Sequence, residues 1–254
     1  LASSSPASSF PPTSTLSTTA FANDPVTGQH RPSEAERNAT PSLQITLVRH
    51  GQADWNPGGG PAVDDPPLTD VGRQQAELAG DALKDAPFDG FFASPLQRTR
   101  ETAAIVARHR GEEPQFLEWM REIQVPMQGR SPQEMVAFFA AARNRPPRDW
   151  WDAWEGAETF RAFHERVTEG LTAWLATLGV TPTLEDEFRL WTLPPIGAGP
   201  DPVRRLLLVA HQGTIAVILT HLLNLPPAPW EWDRFALNLA GLVRLETMPL
   251  GNGH

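Results

Sequence analysis

The run Leu43-Gln44-Ile45-Thr46-Leu47-Val48-Arg49-His50-Gly51 is a short β-rich stretch that ends in a polar tripeptide. Its apolar and β-branched residues read as a buried strand, with Arg49, His50 and Gly51 at the carboxyl end. A second stretch repeats the arrangement: Arg204 to Ala210 is apolar on both faces and runs into His211-Gln212-Gly213. Strands apolar on both faces belong to parallel sheets covered by helices. In such sheets ligands bind beyond the carboxyl ends of the strands. Two strands that each end in a histidine therefore place both imidazoles on the functional edge, where they can stand side by side.

Outward from these strands the texture is α/β. Leu68 to Lys84 carries Leu68, Val71, Gln75, Leu78, Ala79 and Ala82 at helical spacing behind Thr69, an N-cap residue type. Phe88 to Ala93 reads as a second buried strand, and Pro95 suits the first turn of a helix running to Arg108. An edge strand is expected at Gln115–Met120, with helices at Pro132–Arg143 and Glu158–Leu178. An interruption rich in Pro, Gly and acid spans Gly179 to Pro202, with Leu184-Glu-Asp-Glu187 as a solvated loop. A helix at Thr214–Leu223 and a last strand within Leu239–Met248 complete the pattern. The expected fold is a single three-layer α/β/α domain with a mostly parallel sheet, over residues 43–254. Half of residues 1–42 are Ser, Thr or Pro, a composition that cannot bury enough to order itself, so a disordered tail is expected there. Ala20-Phe21-Ala22 has the look of a processing site, but no apolar core precedes it. A cytoplasmic protein is the expectation, with an exported form as the alternative.

Composition removes several classes of chemistry. With no Cys among 254 residues, disulfides, a thiolate nucleophile and Cys-ligated zinc or iron–sulfur clusters are excluded. Lys84 is the single lysine, which leaves little room for Schiff-base chemistry, whereas arginines can clamp phosphate or carboxylate. A formal charge of −9 disfavours nucleic acid and anionic membrane as partners. No apolar run reaches the roughly 18–20 residues of a membrane span.

A third element joins the two histidines. Phe92-Ala93-Ser94-Pro95-Leu96-Gln97-Arg98 carries a strand end into a helix, with Arg98 in its first turn. There a guanidinium joins free backbone N–H groups and the positive helix end. Arg49, Arg98, His50 and His211 converge as an oxyanion cage, and phosphate is the expected guest. His109, His164 and His221 fall on helices as packing or surface residues. The stretch Arg143-Asn-Arg-Pro-Pro-Arg148-Asp-Trp150-Trp151-Asp-Ala-Trp154 reads either as a lid over the pocket or as an ordinary connection.

The blocks Arg49-His50-Gly51 with Asp54-Trp55-Asn56, Pro67-Leu68-Thr69…Gly72…Gln75-Ala76, Ser94-Pro-Leu…Arg98…Thr102-Ala103 and His211-Gln212-Gly213 resemble, in order, those of the histidine phosphatase superfamily, also called phosphoglycerate mutase-like. The resemblance runs from Leu43 to about Met248. It implies hydrolysis of phosphomonoesters without a metal or cofactor, through a covalent phosphohistidine on His50. It also implies phosphate binding by Arg49, Arg98, Asn56 and His211. The leaving oxygen needs a proton, and Met120-Arg121-Glu122-Ile123 resembles the family's acid position, although Pro126 and Gly129 depart from its glycine spacing. Glu118 is the alternative. A zinc site from His50, His211 and Glu122 is opposed by the flanking arginines. The partner implied is a phosphorylated small molecule, and a homodimer is allowed. The rival readings are a phosphoglycerate-type mutase, which the absence of Tyr disfavours, and a catalytically idle phosphate-binding module.

Overall fold

The computed structural model describes residues 42–151, 157–194 and 203–248. The tail expected over 1–42 lies, but for Ser42, outside the described residues, as do Trp154 and part of the Gly179–Pro202 interruption. In chain order the elements are β1 (Ser42–Arg49), α1 (Asp70–Leu83), β2 (Gly90–Ala93), α2 (Gln97–Arg110), β3 (Gln115–Phe116), α3 (Pro132–Arg143), α4 (Phe160–Thr177), β4 (Thr181–Glu185), β5 (Phe188–Thr192), β6 (Val203–Ala210), α5 (Gln212–Leu222), the short α6 (Glu231–Arg234) and β7 (Leu242–Glu246). Short 3-10 turns cover Pro57–Gly59, Glu118–Met120 and Pro147–Trp151.

The main sheet runs β3-β2-β6-β1-β7. β1, β2 and β3 join it in parallel and β7 pairs antiparallel with β1. Strand alternation divides the core between the two faces. Leu206, Leu208 and Ala210 of β6 pack with Phe163, Val167 and Leu171 of α4 and Ile215 and Ile218 of α5. Leu207 and Val209 face the other way, onto Leu83 of α1 and Ala103 and Val106 of α2. Helices on both faces of a mostly parallel sheet make the three layers that the pattern of strands and helices predicts.

The local signals behind the helices hold at several ends. Thr69 Oγ1 accepts from Gly72 N at 2.9 Å and caps α1. Thr159 does the same for α4 through Ala162 N, and Ser131 with Glu134 forms a capping box on α3. By contrast α2 and α5 begin at Leu96 and His211 without a side-chain cap from the N-cap residue. Carboxylates from elsewhere in the chain meet these two helix starts instead: Gln97 N donates to Asp65 Oδ1 and Gly213 N to Glu122 Oε2, each at 2.8 Å.

Two expectations are corrected. The edge strand predicted over Gln115–Met120 stops at Phe116. Its partner β2 ends at Ala93, whose carbonyl takes Leu117 N as the last rung; beyond it lie Ser94 and Pro95, so the chain turns into the 3-10 segment. The interruption after Gly179 contains a hairpin of β4 and β5 outside the main sheet. Leu184-Glu-Asp-Glu187 is its tip, where Asp186 takes a left-handed φ of 54°, a conformation that Asp tolerates.

Candidate active site

β1, β2 and β6 lie side by side and in parallel, so their carboxyl ends deliver His50, the Ser94–Arg98 turn and His211 to one edge. The two imidazoles meet with centroids 5.2 Å apart. Gly51 is required where the chain leaves β1, because a Cβ there would lie 2.3 Å from Gly72 O, and one on Gly72 would lie 2.1 Å from Gln52 O. The second motif block therefore acts as scaffold, pressing the start of α1 against the backbone after His50. Gln75 Oε1 accepts from Gln52 N, and Thr102 Oγ1 accepts from Gly51 N. These contacts fix the turn that carries the imidazole.

His50 Nδ1 lies 2.7 Å from Gly51 O, which makes it the protonated nitrogen and leaves the lone pair on Nε2. Arg98 Nε donates to that lone pair at 3.3 Å. Burial, then Arg98 and Arg49, lower the pKa of His50 to about 3, so the ring is neutral at ordinary pH. His211 is fully buried, and burial with Arg98 and His50 holds its pKa well below the usual histidine value. His211 Nε2 meets Ser94 Oγ at 2.8 Å, and Ser94 Oγ accepts from Leu96 N. With the Ser94 hydroxyl as donor to Nε2, Nδ1 of His211 carries the hydrogen.

Three buried polar atoms at this edge lack a hydrogen-bond partner among the described residues: Arg49 Nε, Arg98 Nη1 and His211 Nδ1. Unmatched buried donors are costly, and three together around a neutral imidazole make a cage suited to an anion. Arg49 is anchored by Nη1 donating to Leu237 O at 2.6 Å. Arg98 is steadied by Asp65 Oδ1, 3.7 Å from Nη1, and by the Trp55 ring, 5.3 Å from its guanidinium carbon.

Glu122 lies in the cleft wall beside this cage. Its Oε2 accepts from Gly213 N at 2.8 Å and its Oε1 from Ile123 N at 3.0 Å. Burial outweighs these bonds and raises its pKa above the usual carboxyl value. Gly213 is the residue that allows the approach, since a Cβ there would lie 2.5 Å from Glu122 Oε1. Glu118 is not brought to the site; it is exposed on the 3-10 turn and pairs with Arg121 at 3.6 Å. Asn56 is not brought there either. Its Nδ2 donates to Gly60 O at 3.0 Å, closing the turn at Pro57–Gly59.

The cage opens into a cleft of about 1020 Å³ whose lining includes Trp55, Phe139, Arg143 and Trp150. Of the stretch weighed as a lid, Arg143 and Trp150 thus face the cleft, and Trp150 Nε1 donates to Arg145 O. Sequence reasoning missed Ser94 as the orienter of His211, Thr102 as the anchor of Gly51 and Asp65 beside Arg98. The first two stand inside the motif blocks; Asp65 carries no such signal.

A sheet edge that gathers two neutral imidazoles, one buried and one half-buried guanidinium and a carboxyl biased toward protonation belongs to an enzyme of phosphoryl transfer. The chain belongs to the histidine phosphatase superfamily, whose branch 1 model matches residues 45–180. The adenosylcobalamin/alpha-ribazole phosphatase of Salmonella typhi is 29% identical over 189 residues, covering 73% of this chain and 82% of that protein. Fructose-2,6-bisphosphatase TIGAR B of Danio rerio is 30% identical over 198 residues, covering 72% and 76%. A mycobacterial glucosyl-3-phosphoglycerate phosphatase superposes with a TM-score of 0.59 at 25% identity, covering 81% of this chain and 90% of that one. The fold, the family and a phosphatase activity agree across these relatives.

Proposed function

We propose that the chain hydrolyses phosphomonoesters through a phosphohistidine on His50, and the observation that carries the reading is the trio of unmatched donors around the neutral imidazole. His50 Nε2 attacks phosphorus; the N–P bond forms as the P–O bond to the alcohol breaks. Arg98 Nε leaves the lone pair and, with Arg49 and the Nδ1–H of His211, holds the equatorial phosphoryl oxygens. Glu122 gives its proton to the departing oxygen. Its carboxylate then takes a proton from the water that attacks phosphorus, the N–P bond breaks, and inorganic phosphate and neutral His50 are restored.

The substrate in this reading is a phosphorylated small organic molecule whose alcohol portion lies along Trp55, Phe139 and Trp150. Mutase chemistry is disfavoured, because the chain has no Tyr and Lys84 pairs with Asp81 on α1, outside the cleft lining.

The test is phosphate release from a panel of monoesters in EDTA, by the wild type and by His50→Ala. Release that persists in EDTA and disappears in the variant is expected. Release that survives in His50→Ala overturns the assignment of the nucleophile, and loss in EDTA overturns the metal-free reading.

A further inference from the structure

We infer that Arg166 and Glu158 form a clamp that positions Glu122 for proton transfer, an inference that rests on the assignment of Glu122 as the acid. Glu122 stands on a segment, Arg121–Pro126, that has neither helix nor strand to hold it. Yet a general acid must be held within hydrogen-bond reach of the leaving oxygen. Hydrogen bonds from α4 and the residues before it supply the missing support.

Arg166 projects from α4 and spends its donors on two targets. Nη1 donates to Trp119 O and to Arg121 O, each at 3.1 Å. Nε and Nη2 donate to the two carboxylate oxygens of Glu158, each at 2.9 Å. Four of the five N–H groups of a guanidinium are thereby used, and its charge is matched by Glu158. Arg166 lines the cleft, but this bonding makes it a brace instead of a further phosphate ligand.

Glu158 completes the brace on the far side of Glu122. Its Oε2 accepts from Gln124 N at 3.1 Å, and its own N–H donates to Gln124 O at 2.9 Å. The pair therefore grips the chain at residues 119 and 121 before Glu122 and at residue 124 after it. A fork-to-fork pair fixes direction as well as distance. Gly170 lets α4 approach this closely, because a Cβ there would lie 2.2 Å from Trp119 Cβ. On the opposite side Thr214 Oγ1 reaches Arg121 O at 3.2 Å, and Gly213 N holds the carboxyl itself.

The clamp has a signature that a merely structural pair would lack. A nitrophenolate departs without a proton, whereas an alkoxide needs one, and kcat/KM ends at formation of the phosphohistidine, so in kcat/KM the loss of the acid's aim harms only the second. The experiment compares kcat/KM for p-nitrophenyl phosphate and glycerol phosphate in the wild type, Arg166→Met, Glu158→Gln and Glu122→Gln. Arg166→Met and Glu158→Gln are expected to lose about 10–100-fold on glycerol phosphate, the scale of a misplacement near 1 Å, and less than threefold on the nitrophenyl ester. The retained nitrophenyl activity also reports a folded site. Equal losses on both esters, or none on either, overturn the clamp. If Glu122→Gln itself lacks the selectivity, the acid assignment fails and takes the clamp with it; if only Glu122→Gln has it, the clamp alone fails.

Discussion

At the scale of single residues, the site works by holding charge out of two imidazoles and a proton in one carboxyl. His50 protonates near 3, so the acidic limb of kcat/KM is expected far below the usual histidine range, and activity at pH 5 should be largely retained. The alkaline side belongs to Glu122, whose raised pKa keeps it protonated above the ordinary carboxyl range. As pH rises through that value the acid is lost and kcat/KM on an alkyl phosphate should fall. Glu122→Gln is expected to remove this limb and to cost about 10²–10⁴ in rate, which a pH–rate profile on glycerol phosphate checks. Gly213→Ala is expected to mimic it, because the new Cβ would press on Glu122 Oε1 at 2.5 Å; steady-state kinetics of that variant on the two esters decide it. His50, Arg98, His211 and Glu122 were legible in the sequence because strand ends and motif register announce them. The direction of the Asn56 side chain was not legible: its position in a block said nothing of the Gly60 carbonyl that engages its amide.

Elements differ in how much of their existence the sequence declares. α4 and α5 bury a full apolar face, and their periodicity is plain. α3 has no fully buried residue, so its twelve residues depend on Pro132 at the start and on the Ser131–Glu134 capping box. Ser131→Ala is expected to destabilise this helix locally by about 1 kcal/mol, seen as faster amide exchange within Pro132–Arg143 while global unfolding is unchanged. The opposite holds for α1, where Gly72 abuts the Gln52 carbonyl. Gly72→Ala should lower global stability by about 1–3 kcal/mol in urea unfolding and reduce activity with it, because the same backbone carries His50. The β4–β5 hairpin stayed hidden because its pairing is between its own two strands, with Thr183 bonded to Thr192 across it. Neither alternation nor a glycine turn marks it; Asp186 supplies the turn instead.

For the molecule as a whole, buried titratable groups set a pH window of stability. His50, lowered to about 3, and His221, lowered to about 4, bind protons more weakly folded than unfolded. Their contribution is complete above about 6.5 and is lost as pH falls toward those values. Glu231, raised by burial to about 7, works in reverse: its contribution is complete below the ordinary carboxyl value and is lost as pH rises through 7. Tm is therefore expected to peak on the mildly acidic side of neutrality, and Glu231→Gln should remove the loss that accrues between the ordinary carboxyl value and about 7 in thermal scans. The parallel pairing of β1 with β6, which sets Arg49 opposite Ala210, joins the beginning of the domain to a strand synthesised much later. Such non-local pairing is slow to form. A nascent chain has His50 and Arg98 long before it has His211 or the Gly213 amide that engages Glu122. Its first turnover must therefore wait until β6 and α5 have been synthesised and docked, so hydrolysis reports completed assembly and is silent about every earlier intermediate.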